Sequence, residues 1–213
     1  MISMCKIAIV GIGYDGNQYL EKFHKNVSTT IKTISISSCS FFFEKYISEI
    51  KIDIGKGEDL RLDGGCTQCS EKFAFNHYDE IFNALSDTDL VISLAKLSDD
   101  DGGGVTPLVS SLAKDIGAVS VAVVCFPFTF EGVRRRKIAI DSLIKINSAA
   151  DYVCVLESDY IIYSCDPKTP MTAAFEIISD WVVETLNRIL NGYNQLKSEE
   201  FLPATCYELQ ATS

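Results

Sequence analysis

Three stretches of this chain are apolar almost without a break: Lys6 to Val10, Asp89 to Ala95 and Val119 to Cys125. A strand with one wet face alternates apolar and polar residues; these do not, so both of their faces must be covered. The segments between them carry helical periodicity or turn residues. Buried strands separated by helices predict an α/β fold: a three-layer, mostly parallel, Rossmann-like sheet covered on both faces. Ligands on such sheets bind at the carboxyl ends of the strands.

The remaining elements fill in that frame. An amphipathic segment with Tyr19, Leu20 and Phe23 follows the first strand, and Thr33 to Ile36 reads as a second strand. Phe41 to Ile50 is ambiguous between helix and strand. Ile52 to Ser70, rich in Gly, Asp and Cys, reads as an irregular loop, and a helix is expected from about Glu71 to Leu85. Ser98 to Gly104 reads as a loop. Thr106 suits a helix N-cap and Pro107 the first helical position, with Gly117 as the C-cap. Glu131 to Asn147 is a helix and Tyr152 to Leu156 a further strand. A last helix starts at Thr169-Pro170 and repeats Met171, Ala174, Phe175, Ile178, Trp181, Val182, Ile189, Leu190 and Tyr193 at a period of about 3.6. It extends to about Lys197, roughly 40 Å. The expected organisation is one domain over 1–197 and a polar tail over 198–213, with no internal repeat.

Composition narrows the function. The chain has 213 residues, 47% of them hydrophobic, and a net charge of −10. That is enough apolar material for a core. Its only basic cluster is Arg134-Arg135-Arg136-Lys137, so no field exists to hold nucleic acid. No apolar run reaches the roughly 18–20 residues of a membrane span. The start leads straight into a strand and is not a signal peptide. Of eight cysteines, Cys5, Cys125 and Cys154 sit in or beside strand patterns, where cysteine acts as a small hydrophobe. This suits a reducing cytoplasm better than a disulfide framework.

Two glycine loops fall at strand ends. Gly11-x-Gly13-x-x-Gly16, followed by Asn17, has the strand–turn–helix setting in which backbone N–H groups approach a phosphate. The acidic residue expected about twenty positions later is missing, and tight strand–helix packing without a ligand explains the glycines equally well. Gly102-Gly103-Gly104 is the second loop. The strand Val119 to Cys125 then runs into Phe126-Pro-Phe-Thr-Phe-Glu131-Gly-Val-Arg-Arg135-Arg136. The order of glycine loop, helix, buried strand, Pro-Phe-x-Phe-Glu-Gly and basic helix start resembles the nucleotide domain of FtsZ, the bacterial relative of tubulin. The segments from Thr106 to Val124, Asp151 to Ile162 and Ala174 to Asp180 resemble it as well. The resemblance covers Lys6 to about Leu190 and is strongest from Asp89 to Ile162.

The resemblance implies a GTPase-type sheet ending after the long central helix, a GTP or GDP ligand with Mg²⁺, a soluble cytoplasmic protein and a role in cell division or the cytoskeleton. Gly11, Gly13, Gly16, Asn17 and Gly102 to Gly104 would line the phosphates. Glu131 and Arg135 would meet the ribose and phosphate side, Ser158 would face the nucleotide, and Ser179 and Asp180 the guanine. Read from the residues alone, Glu131 and Arg135 are equally an i,i+4 ion pair on a helix face, worth a few tenths of a kcal/mol.

The departures from the family pattern bear on mechanism. FtsZ has Gly-Gly-Gly-Thr-Gly-Thr-Gly where this chain has Ser98-Asp99-Asp100-Asp101-Gly102-Gly103-Gly104. A carboxylate about 6 Å from a phosphate charge costs roughly 3 kcal/mol at an effective dielectric near 20. Ser158 and Ser179 stand at asparagine positions. The first loop is one residue shorter, with Tyr14 and Asp15 for small residues. No Asn-x-Asp-x-x-Asp loop follows Leu190, so hydrolysis by self-association in the FtsZ manner is not expected. The leading expectation is therefore a degenerate site in a protein that works through protein contacts, with a partner or a second copy meeting the long C-terminal helix around Trp181 or Ile189. The alternative is a GTPase in which Asp99, Asp100 or Asp101 hold Mg²⁺. A dinucleotide-binding oxidoreductase lacks its ribose-binding acid and its substrate domain here. Cys66-Thr-Gln-Cys69 would need two more ligands for a metal; His77 and Cys39 are candidates that no spacing selects. His24, like His77, lies in a helical pattern.

Overall fold

The computed structural model describes residues 6–25, 31–56, 67–166 and 168–198; Cys66 and almost all of the expected tail lie outside them. Six parallel strands form one sheet in the order β3-β2-β1-β4-β5-β6. They are β1 (Ile7–Ile12), β2 (Lys32–Ser37), β3 (Ile50–Asp53), β4 (Leu90–Lys96), β5 (Val119–Phe126) and β6 (Tyr152–Glu157). The helices are α1 (Gly13–His24), α2 (Thr67–Asn76), α3 (Tyr78–Leu85), α4 (Asp100–Asp115), α5 (Val133–Ala149), α6 (Asp159–Ser164) and α7 (Met171–Ser198).

The continuous apolar runs are the central strands, as both-face burial requires. Alternate residues of β1 serve two cores. Ala8, Val10 and Ile12 pack with α2, α3, α4 and α5. Ile7 and Ile9 pack with Tyr19, Leu20 and Phe23 of α1 and with Ile178, Val182, Leu186 and Leu190 of α7. Register is set accordingly: Val10 pairs with Ile34 on one side and Ser93 on the other.

Four expectations need correction. Ile50–Asp53 is the edge strand β3, not part of an ambiguous or irregular segment; at four residues it is too short to show a period. The single helix over 71–85 is two, broken at His77. Helix α4 begins at Asp100, so Gly102 to Gly104 are helical and Pro107 lies inside the helix. Thr106 is no cap: its hydroxyl donates to the Gly102 carbonyl at 2.6 Å. Pro107 has no N–H for the Gly103 carbonyl. The helix tolerates this because its start is fixed elsewhere, by the Gly103 N–H donating to the Asp99 carbonyl at 3.0 Å. Lastly, Trp181 and Ile189 are not an exposed stripe; both pack against the α1–α7 core. The exposed apolar residues of α7 are Met171, Phe175 and Ile177, at its start.

Among the described residues no helix is long and apolar enough to cross a membrane. Cys39, Cys125, Cys154 and Cys165 are free. Cys69 is disulfide-bonded, which the expectation of a reducing setting did not foresee.

Candidate functional site

Strand order reverses between β1 and β4, and the crevice beyond their carboxyl ends is where open parallel sheets place ligands. A cleft of about 460 Å³ lies there, walled by Tyr14 and Asp15 of α1, by Ser98, Asp99 and Asp100, and by Arg134, Arg135 and Ile138 of α5. One wall is acidic and the other basic.

The first glycine turn is built for close approach. Gly13 has φ +71, and a Cβ on it would lie 2.0 Å from Asp99 Oδ2. At Gly16 a Cβ would meet the Leu94 carbonyl oxygen at 2.2 Å, so this glycine serves helix–strand packing. Gly11 lies under Asn17. The buried Asn17 side chain donates to the carbonyls of Gly13 (2.6 Å) and Ile36 (3.3 Å), while its Oδ1 has no partner.

The second set of glycines packs α4 into the fold. A Cβ on Gly102 would strike the Lys96 carbonyl oxygen at 2.1 Å, on Gly103 the Ser142 hydroxyl at 2.4 Å, and on Gly104 the Thr67 carbonyl oxygen at 2.4 Å. All three are buried. The aspartates before them have separate surroundings. Asp101, 4% exposed, is turned away from the cleft. It accepts from the Ser37 hydroxyl (3.1 Å), the Ser38 N–H (2.7 Å) and the Ser70 hydroxyl (2.8 Å), tying β2 and α2 to α4. Asp99 faces α1 and accepts the Tyr14 N–H at 3.0 Å. Burial, then Asp101 and Asp15, raise its pKa to about 8 against the pull of that N–H. Burial raises Asp15 as well, opposed by Lys96.

Lys96 closes β4 beneath the cleft and was not singled out from the sequence. It is 7% exposed. Its ammonium lies 3.2 Å from Glu131, 3.9 Å from Asp15 and 5.3 Å from the centre of the Phe175 ring. Glu131 also accepts from the Phe128 N–H (3.0 Å) and from Arg135 (2.9 Å). Burial opposes its ionisation, but Lys96, the Phe128 N–H and Arg135 outweigh it and hold the pKa below the ordinary glutamate range. The sequence signal was available: a charged residue ending an otherwise apolar strand must find a buried partner. Glu131 and Arg135 thus do form the i,i+4 pair, with a buried lysine as third member.

The remaining candidates are dispersed. The buried Ser158 hydroxyl donates to the Phe126 carbonyl at 2.5 Å. The Ser179 hydroxyl donates to the Phe175 carbonyl of its own helix at 2.9 Å. Asp180 is held by Lys22 of α1 at 2.8 Å, and Lys22 also meets Glu176 at 2.9 Å. Among the described residues no three His, Cys, Asp or Glu side chains are grouped to hold a metal ion.

At this end of the cleft the Asp99 carboxyl lies over Gly13 at the start of α1, and Lys96 is engaged by two carboxylates.

Comparison with known proteins agrees with the sheet. Residues 6–166 match the family model for the GTPase domain of the tubulin/FtsZ family. Cell division protein FtsZ of Methanothermobacter thermautotrophicus is 32% identical over 195 residues, covering 91% of this chain and 50% of that protein. The FtsZ of Helicobacter pylori is 28% identical over 186 residues, covering 86% and 48%. The chain spans about half the length of the curated relatives it matches. An empty FtsZ dimer from M. jannaschii superposes with a TM-score of 0.81 at 27% identity, over 96% of this chain and 59% of that one. CetZ from Methanosaeta thermophila shares the fold, with a TM-score of 0.74 at 17% identity over 93% of this chain and 56% of that one. With the glycine turn, the Glu131 turn and the long helix on a six-stranded parallel sheet, and with the family model matched over most of its length, the chain belongs to the tubulin/FtsZ family.

Proposed function

We propose that this chain is an FtsZ-like protein with a degenerate phosphate end, one that does not turn over GTP and acts through contacts with other proteins in a cytoplasmic cell-division or cytoskeletal setting. The setting comes from its relatives, which are cell division proteins. The observation that carries the reading is the Asp99 carboxyl bonded to the Tyr14 N–H, directly over Gly13. Glu131, Arg135 and Asp180 still border the region where the family pattern places ribose and base, so residual nucleoside affinity fits the reading. A micromolar nucleotide affinity is worth about 8 kcal/mol. Where Asp99 is ionised, well above its pKa of about 8, one carboxylate charge about 6 Å from a phosphate removes about 3 of these, leaving a Kd on the order of 100 µM. Isothermal titration with GTP and GDP, each with and without Mg²⁺, tests this. Sub-micromolar binding with turnover sinks it. Mg²⁺-dependent binding lost on Asp100→Ala instead favours the aspartate-held metal.

The protein-contact half is supported by the exposed Met171, Phe175 and Ile177 at the start of α7 and by Tyr160 and Tyr163 on α6 beside it. Clustered apolar exposure of this kind marks interaction sites. Sedimentation of the chain alone, and mixed with full-length FtsZ, is expected to show association weakened by Ile177→Glu. A strictly monomeric chain that ignores FtsZ counts against it.

A further inference from the structure

Asp99 is the N-cap residue of α4, and its backbone carbonyl accepts the first bond of that helix from Gly103. An aspartate at an N-cap ordinarily turns its side chain onto the N–H groups of its own first turn. Here it makes no such bond. Its Oδ2 instead accepts the N–H of Tyr14, the second residue of α1, one of the four amides that a helix start leaves without an intrahelical partner. The carboxyl lies so close over Gly13 that only a glycine at φ +71 leaves it room. Two independent features, a diverted cap and a glycine under contact, therefore place one side chain on one helix terminus.

We propose that Asp99 is an intramolecular ligand for the α1 N-terminus: its carboxyl takes the position of a phosphate oxygen, and the site admits an external anion only when Asp99 is withdrawn. This rests on the reading of the site as a degenerate nucleotide site.

The surroundings make the contact responsive to pH. Asp99 is faced by Asp15 of α1, by Asp100 and Asp101 of α4, and by Tyr46 beyond β2. Lys96 at the end of β4 is turned to Glu131 and Asp15, and Arg134 and Arg135 stand on the opposite wall of the cleft. Burial first, and then the carboxylates around it, raise the Asp99 pKa to about 8. Below that value Asp99 is neutral and repels no phosphate; above it one unit charge does.

Two measurements on the full chain test the proposal. In ¹⁵N-resolved NMR the Tyr14 amide should titrate with a midpoint near pH 8, and Asp99→Asn should abolish that titration. In calorimetry with GDP at pH 9, Asp99→Gly should bind at least about tenfold more tightly than the wild type, because one pH unit above its pKa of about 8 Asp99 is still roughly one-tenth neutral, which limits the charge penalty to that factor. Asp99→Asn, which keeps the volume but not the charge, should fall between them. Wild-type affinity should drop about tenfold from pH 7 to pH 9, as expected for one group titrating near pH 8, and that of Asp99→Asn should not. Circular dichroism establishes that each variant is folded. A Tyr14 amide indifferent to Asp99 overturns the contact. A folded Asp99→Gly variant that gains no affinity overturns its blocking role. Tight GTP binding by the wild type overturns the reading of the site itself.

Discussion

Lys96→Met is the perturbation that most directly measures how the site is held. Methionine keeps the unbranched stem and much of the volume, so the change removes a charge without opening a cavity. The Lys96 and Glu131 side chains are 9% and 8% exposed, and their charged atoms are 3.2 Å apart. Removing one partner of a buried pair costs about 3–5 kcal/mol, because the other charge is left desolvated. Glu131 keeps the Phe128 N–H and Arg135, which lowers the expectation to about 2–3 kcal/mol. For a chain of this size that is a fall in Tm of about 5–10 °C.

The pH dependence carries a sign. Glu131 has a folded pKa below its ordinary value, so it contributes stability above the unfolded value of about 4.3 and loses it as pH falls through the folded one. The cost of Lys96→Met should therefore be full at pH 7 and shrink towards pH 3. Urea unfolding at both pH values, with Glu131→Gln and the double variant, closes a cycle. The coupling should be about 1–3 kcal/mol, since removing both charges leaves neither orphaned. A cycle additive within about 0.5 kcal/mol, or a cost independent of pH, refutes the argument that the pair is desolvated.

Three other outcomes are expected. Asp101→Ala strands the Ser37, Ser38 and Ser70 donors and should cost about 2–4 kcal/mol, read as a lower urea midpoint at unchanged m-value. Lys22→Ala removes contacts to Asp180 and Glu176, both more than two-thirds exposed; it should cost less than about 1 kcal/mol and less still at high salt, followed by thermal melts. The Cys125 thiol is buried with its pKa pushed up to about 12, whereas Cys39 is exposed. At pH 8 a thiol reagent should show a fast phase whose amplitude Cys39→Ser lowers by one thiol and Cys125→Ser leaves unchanged.

What the sequence made legible follows from how each element is buried. β1, β4 and β5 announce themselves because strands covered on both faces tolerate no polar break. Ile50–Asp53 was invisible because an edge strand of four residues, two of them charged, has neither length nor period. At α4 two local rules misled. Thr106-Pro107 looks like a helix start, and three glycines look like a loop. The tertiary contacts decide otherwise, since those glycines let the helix start press on Lys96, Ser142 and Thr67. The site was legible as a place but not as an arrangement. Glu131 and Arg135 were identified, yet Lys96, which joins them, reads in sequence as the end of a strand. The three aspartates looked alike in sequence. In the structure Asp101 joins three segments and Asp99 caps a neighbouring helix, a distinction that depends on which way α4 enters.

The division between core and strand ends explains how such changes accumulate in this fold. The two cores are made of strand interiors and the inner faces of α1 to α7, and none of the charged residues at the cleft belongs to them. Substitution at the strand ends therefore leaves the hydrophobic contribution to stability nearly intact, and what it must satisfy is local: the free N–H groups at the start of α1, and any buried charge. Asp99 meets the first requirement for Tyr14, and the Lys96–Glu131 pair meets the second. A helix start that relies on a bound phosphate for its acceptors is ordered only as far as the ligand is present. One that carries its own carboxyl is ordered without it. On the proposed reading Asp99 does more than weaken a ligand site, for it also gives the β1–α1 turn an acceptor that does not depend on a ligand. A chain acting through its surface would require that independence, because its contact face would then keep one shape whatever the nucleotide concentration.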